Sequence, residues 1–310
     1  MLAPTLFALR NGPLAAVGLY LIASALLASN PVLGRAIAHV VPPIGLAFWR
    51  WLLAFLMILP LAVPGLLIHR HRLLAEWRRF LLLGFLGQGI SGAIVYYGLE
   101  RTSATNASLI YATSPVMVLV IAAIWLGDRI RPRQVAGILL AMAGVLVILT
   151  RGDLEVLRHL SFNLGDLLVL IGAVSWSVFT ILLRQTRNPL PVVTSFAANA
   201  LAGVLVLAPF YLWESVTVRS VPFTMTTALS LLGVALFASV LAFLAYQKAI
   251  ARMGVAQAST ALYVSPLWAA LASWLILGEG LEMFHLLGVL LVLPGVTLAT
   301  LPSRSTIAKP

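Results

Sequence analysis

Residues 106–150 read NASLIYATSPVMVLVIAAIWLGDRIRPRQVAGILLAMAGVLVILT, and residues 257–301 read QASTALYVSPLWAALASWLILGEGLEMFHLLGVLLVLPGVTLATL. Laid over each other without gaps at an offset of 151, the two stretches share 11 identities in 45 positions. Ala107-Ser108 matches Ala258-Ser259, Ser114-Pro115 matches Ser265-Pro266, and Leu126-Gly127 matches Leu277-Gly278, followed by Asp128 and Glu279. Gly137 and Gly144 match Gly288 and Gly295. Apolar sequence produces some identities by chance, but two Ser-Pro pairs and three glycines at one offset indicate an internal repeat.

Each copy holds two apolar runs separated by a short charged turn, and the same texture extends through the chain. Apolar residues make up 61% of the 310 and charged residues only 9%, against about 25% charged in a soluble domain. So few charges cannot cover a water-soluble surface, which excludes a cytosolic enzyme. A spanning helix needs about 20 apolar residues. Runs of that kind fall at 13–41, 44–68, 80–101, 104–126 and 133–151, and again at 164–187, 191–213, 224–250, 257–277 and 283–302. The reading is an all-α membrane protein of ten transmembrane helices. Arg10 before Leu14–Ala28 has the look of a signal peptide. That run continues past Asn30-Pro31 to Val41 without an A-x-A site, so it is kept in the fold.

The net charge of +11 reads as the positive-inside bias of membrane loops and not as a nucleic-acid surface. Grouping alternate loops puts 14 basic residues on one side, among them Arg70, Arg72, Arg78, Arg79, Arg129, Arg131 and Arg133, and five on the other; Arg50 lies inside a span. Both termini are therefore expected in the cytoplasm, which requires an even number of spans. Each half (13–152 and 163–302) holds five, an odd number, so the halves enter the membrane in opposite orientations as two inverted five-helix repeats. Secondary transporters use this architecture, with substrate held near the midplane between the repeats.

These ten spans, the paired "Ser-Pro … Leu-Gly-Asp/Glu … Gly … Gly" pattern and Ala47-Phe48-Trp49-Arg50 resemble the drug/metabolite transporter superfamily in its two-EamA-domain form. The resemblance covers about residues 13–302. Asn30-Pro31 and Gly89-Ile90-Ser91 with Tyr96-Tyr97-Gly98 are similar to the bacterial aromatic amino-acid exporter branch. That likeness implies export of neutral and aromatic amino acids across the inner membrane.

No catalytic constellation is visible, and the absence of cysteine excludes disulfides and thiolate metal sites. The histidines show no metal-ligand spacing and there is no phosphate-binding loop, so no cofactor, metal or ATP-driven step is expected. Trp125, Tyr211, Trp213 and Trp274 lie near span ends and read as an interfacial belt. Trp176 lies about twelve residues into the sixth span between Ser175 and Ser177, as packing or as the wall of a polar cavity. Gln88, Ser91 or Gly92, and Tyr96 share a helical face, as do Ser239, Phe243 and Tyr246. Tyr96 and Tyr111 in the outer half, with Tyr246 and Tyr263 in the inner half, would bracket Trp176. Asn30, Asn199 and Ser195 could meet the charges of a zwitterion or bond between helices.

Arg50 costs about 2.5–3.5 kcal/mol at mid-membrane on insertion scales, and it reads first as structural or gating and second as a substrate reader. Pro115 and Pro266 read as kinks, with a hinge as the alternative. His285 reads as an interfacial residue, with a proton switch as the alternative. The acids all fall in loops or at span ends, which predicts facilitative transport. The rival functions are a multidrug or other metabolite exporter, an intramembrane enzyme and a channel. The expected partners are a small-molecule substrate, in first place an amino acid, and the lipid bilayer.

Overall fold

The computed structural model describes residues 13–38, 40–102, 104–153, 155–158, 163–184, 190–272 and 282–300, and all regular structure among them is helical. In chain order the helices are α1 (Pro13–Ala38), α2 (Pro43–Ile68), α3 (Arg70–Ala75), α4 (Trp77–Leu99), α5 (Ala104–Tyr111) and α6 (Ser114–Leu126). Then follow α7 (Pro132–Leu149), α8 (Glu155–Arg158), α9 (Leu164–Arg184), α10 (Val192–Thr217), α11 (Met225–Met253), α12 (Val255–Ser259), α13 (Ala261–Ala272) and α14 (Met283–Thr300). Eight helices among the described residues are long and apolar enough to cross a membrane, and Val17–Ser29 within α1 is a shorter apolar stretch. The protein is thus a multi-pass, all-helical membrane protein.

Local chemistry explains the helix ends. Pro43 and Pro132 open α2 and α7, where a missing N–H costs nothing. Gly127 ends α6 with φ of +68°, a conformation that residues with a Cβ rarely adopt. At α9, Asn163 accepts from the Asp166 N–H at 3.1 Å and Asp166 accepts from the Asn163 N–H at 2.8 Å, a reciprocal cap. Asp166 also accepts from Thr102 and Asn106, fastening α9 to the start of α5. At the other end of α9, Arg79 donates to the Leu182 carbonyl at 3.0 Å while pairing with Glu76. The Arg72 guanidinium, also bonded to Glu76, holds that carboxyl below the usual carboxylate range.

The expected breaks at the two Ser-Pro pairs differ from each other. The chain turns at Ala112-Thr113, just before Ser114-Pro115, whereas α13 continues through Pro266 and the matching turn falls at Thr260. Ser265 bonds the Ser24 carbonyl of α1 at 3.2 Å and the Ala261 carbonyl at 3.3 Å. Both α4 and α11 contain an unexpected wide turn of π-helix, at Phe85–Ile94 and Val234–Leu241. These overlap when shifted by 151.

Packing follows the small residues. α7 lies against α14, and a Cβ on Gly137 would sit 2.5 Å from the Gly295 carbonyl oxygen and the Ala299 nitrogen. A Cβ on Gly144 would sit 2.9 Å from the Gly288 carbonyl oxygen, and one on Gly295 would sit 2.7 Å from the Gly137 carbonyl oxygen. The matched glycines of the two sequence copies thus face one another, and the two helices run antiparallel. α2 packs along α10, α1 against α11 and α13, and α9 against α4, α5 and α6.

Because backbone atoms cannot yield, Gly137→Ala should lower stability by about 1–3 kcal/mol. Gly18, whose Cβ would meet no atom within 4 Å, should accept alanine without loss. Thermal unfolding in detergent compares the two.

Candidate functional site

Arg50 is buried on α2, and its guanidinium is held by neutral dipoles from two other helices. Nε donates to the Ser239 hydroxyl at 2.6 Å, one terminal nitrogen to the Tyr96 hydroxyl at 2.8 Å, and the other to the Ala238 carbonyl at 2.9 Å. Ser239 and Ala238 lie in the π-helical turn of α11, a distortion that alters the helix's own hydrogen-bond ladder and frequently marks functional sites. The Trp51 ring lies 5.1 Å from the cation. A charge that has left water is thereby solvated by the protein.

Trp51 leads into an aromatic cluster. Its ring meets Phe243 edge-on at 4.8 Å; Phe243 meets Trp176 at 5.5 Å; and Trp176 stacks on Tyr246 at 5.5 Å with 25° between the planes. Phe179 and Phe196 complete the cluster. Trp176 Nε1 and both amide atoms of Asn199 are buried without a hydrogen-bond partner among the described residues, and the buried Thr180 and Tyr246 hydroxyls face each other. Trp176 and Thr180 share one face of α9, four residues apart. Leaving such a group unpaired costs about 1–3 kcal/mol, and buried polar groups are otherwise almost always bonded.

The remaining candidates are dispersed. The Tyr111 hydroxyl donates to the Ser91 carbonyl at 3.5 Å. Tyr263 is buried in a second core cluster with Tyr20 and Val264. Gln88 turns toward α10: a Cβ on Gly203 would meet its side chain at 2.6 Å, and its amide nitrogen, oriented to suit its neighbours, donates to the Leu83 and Gly84 carbonyls. Ser175 and Ser177 bond the carbonyls of Leu86 and Ala173 instead of facing an opening. His285 Nδ1 accepts from the Glu282 N–H at 3.1 Å in the first turn of α14. It lines an apolar groove of about 430 Å³ between α13 and α14. The Asn30 side chain lies outside the described residues. Tyr211, near the end of α10, also joins α10 to α2: its hydroxyl accepts from Trp49 Nε1 at 3.0 Å and its ring stacks on Phe48 at 4.4 Å.

The EamA-like transporter family matches residues 14–150 and again residues 163–301. The chain belongs to this family, within the drug/metabolite transporter superfamily. This transporter is 28% identical over 260 residues to "Uncharacterized transporter YyaM" of Bacillus subtilis, covering 83% of this chain and 84% of that protein. It is 29% identical over 223 residues to "Probable terminal-alkyne amino-acid exporter" of Streptantibioticus cattleyicolor, covering 70% of this chain and 71% of the other. A crystal structure shares its fold with a TM-score of 0.73 at 20% identity, over 95% of this chain and 99% of that one.

Sequence reasoning passed over Thr180 and the carbonyl of Ala238. The i, i+4 spacing from Trp176 could have found Thr180; no residue pattern announced the π-turn that places Ala238. Removing one partner from the buried cation tests the network. Ser239→Ala should cost about 1.5–3 kcal/mol, the range for a hydrogen bond to a charged group. Arg50→Gln should cost more, both read from thermal unfolding in detergent.

Proposed function

We propose that this transporter exports neutral and aromatic amino acids through a site between two inverted five-helix repeats, residues 13–152 and 163–302. The observation that carries the reading is the buried Trp176–Tyr246 stack, whose indole Nε1 has no hydrogen-bond partner among the described residues, as the buried Asn199 amide of α10 has none. Stacked rings suit an apolar or aromatic side chain, and the unpartnered groups suit the ammonium and carboxylate of a zwitterion. The Streptantibioticus relative, by its name an amino-acid exporter, lends support. The polar shortfall in a closely packed interior fits an occluded state of an alternating-access cycle, in which substrate or water supplies the missing bonds.

The inverted arrangement of ten spans is supported by the reciprocal contact of α7 and α14. Gly137 meets Gly295 while Gly144 meets Gly288, the pattern that a two-fold axis imposes on a self-complementary surface. By the loop charges, residues 69–79 and both termini face the cytoplasm of a bacterial cell. His285, occupied in the first turn of α14, serves packing in this reading, and substrate moves down its own gradient.

Transport of radiolabelled amino acids in proteoliposomes is the direct test. Trp176→Ala should reduce transport of aromatic substrates several-fold more than of small ones, since aromatic pairs contribute about 0.5–1.5 kcal/mol beyond area burial. Equal loss for both classes would remove Trp176 from the site. Flux without a pH or voltage gradient, retained in His285→Ala, is the expected mark of facilitative transport.

Orientation is read separately. The chain has no native cysteine and Ala75 is exposed. Ala75→Cys should therefore react with an impermeant maleimide only in inside-out vesicles; labelling in intact cells would reverse the topology.

A further inference from the structure

α2 and α10 run antiparallel along each other, one from each family match, and their two ends are closed by different chemistry. Where α2 begins, the buried Glu214 of α10 accepts from the Ile44 N–H at 3.1 Å and the Gly45 N–H at 2.7 Å. These are donors of the helix's first turn, which have no partner within their own helix and sit at its positive end. Gly45 permits the approach: a Cβ there would lie 2.6 Å from Val221 and 3.5 Å from the Glu214 carboxylate. One turn further along α2, Trp49 donates to Tyr211, Phe48 stacks on Tyr211, and Phe223 closes edge-on over Trp49 at 5.1 Å.

At the opposite end of the same helix pair none of these contacts recurs among the described residues. Pro42 and Pro191 are the N-caps of α2 and α10. Counting from them, Gly45 corresponds to Thr194 and Glu214 to Gly65. Thr194 does meet Gly65, where a Cβ would fall 2.0 Å from the Thr194 hydroxyl oxygen. The contact is thus repeated with the carboxylate replaced by glycine. On the same count Trp49 corresponds to Ala198 and Tyr211 to Ala62, so the aromatic lock is replaced by two alanines. One end is tied by a carboxylate on a helix N-terminus, and at the other Thr194 lies against Gly65 among apolar side chains such as Leu66 and Val193.

We propose that Glu214 is the gating residue of this transporter at the face where α2 begins, clasping α2 to α10, and that the opposite gate has no such clasp. Parting the α2–α10 pair at the first face requires separating the carboxylate from two backbone donors, whereas parting it at the second separates, among the described residues, Thr194 from Gly65 and the apolar side chains beside them. The α2–α10 pair therefore parts more readily at the face where α10 begins, where the Arg79 bond to the Leu182 carbonyl ties α4 to α9 instead. For an exporter oriented as above this is the cytoplasmic face, so an empty carrier rests ready to load. The inference rests on the alternating-access reading but not on the identity of the substrate.

The test is side-specific labelling of a single interior cysteine in the full-length transporter in oriented vesicles. Gly92→Cys serves, because it lies one helical turn from Tyr96 and a Cβ there meets no atom within 4 Å. Glu214→Gln keeps the shape but loses the charge and one of the two acceptors. Charge-assisted bonds are roughly twice as strong as neutral ones. Glu214→Gln should therefore speed labelling from the face where α2 begins by about tenfold, without a rise from the other face. Tyr211→Phe, which removes only the acceptor for Trp49, should give a smaller rise of the same sign, and it decides the matter if Glu214→Gln does not fold. Thr194→Val at the opposite end should leave labelling from the first face unchanged.

An unchanged rate in folded Glu214→Gln, or an equal rise from both faces, overturns the clasp. If in the parent Gly92→Cys protein no amino acid alters labelling from either face, the amino-acid reading fails while the comparison of gates still stands.

Discussion

Hydrocarbon offers no hydrogen bonds, so every polar group that this chain carries into the membrane must be satisfied by the chain itself. Its charges obey that constraint closely. Arg50 is surrounded by a hydroxyl from each of two helices and by a carbonyl in a wide turn. Glu214 is received by the start of α2, and Asp166 by Asn163, Thr102 and Asn106. Apart from the local Asn163 cap, these contacts join segments far apart in sequence, so solvating the charges also assembles the bundle. The Trp176 indole and the Asn199 amide do not obey the constraint among the described residues. Leaving a neutral donor unpaired costs far less than leaving a charge unpaired, so the fold tolerates the shortfall at neutral groups.

Much of the architecture was legible in the sequence because it follows from composition and repetition. The helices fall within a few residues of the apolar runs: α2 at 43–68 against 44–68, α10 at 192–217 against 191–213. Gly137, Gly144, Gly288 and Gly295 were visible as matched positions, and they became one helix crossing. Trp176, Tyr246, Arg50, Ser239 and Tyr96 were each singled out in the sequence, on separate grounds for Arg50, and the fold brings Trp176 against Tyr246 and Arg50 against Ser239 and Tyr96.

What escaped was decided by geometry that leaves no residue pattern. Gln88 was placed by ideal helical spacing, but it lies inside the π-turn, where residues per turn exceed 3.6, and its contact with Gly203 of α10 could not be counted along the helix. Glu214 looked like an ordinary acid at a span end. Its partners are backbone groups 169 and 170 residues away, and backbone donors are the same whatever the side chain. The contacts of Tyr211 with Trp49 and Phe48 escaped for the same reason: depth can be counted along a span, whereas the identity of the neighbouring helix cannot.

The crossing of α7 and α14 has a consequence for how such a chain can vary. Its two sides present the same spacing of glycines, and the pairing is reciprocal and antiparallel. A helix bearing that pattern is complementary to an upside-down copy of itself. Substitution on one side of such a crossing must then be matched on the other, so the four glycines are constrained as a set. Away from it the corresponding positions differ freely, as Glu214 and Gly65 do.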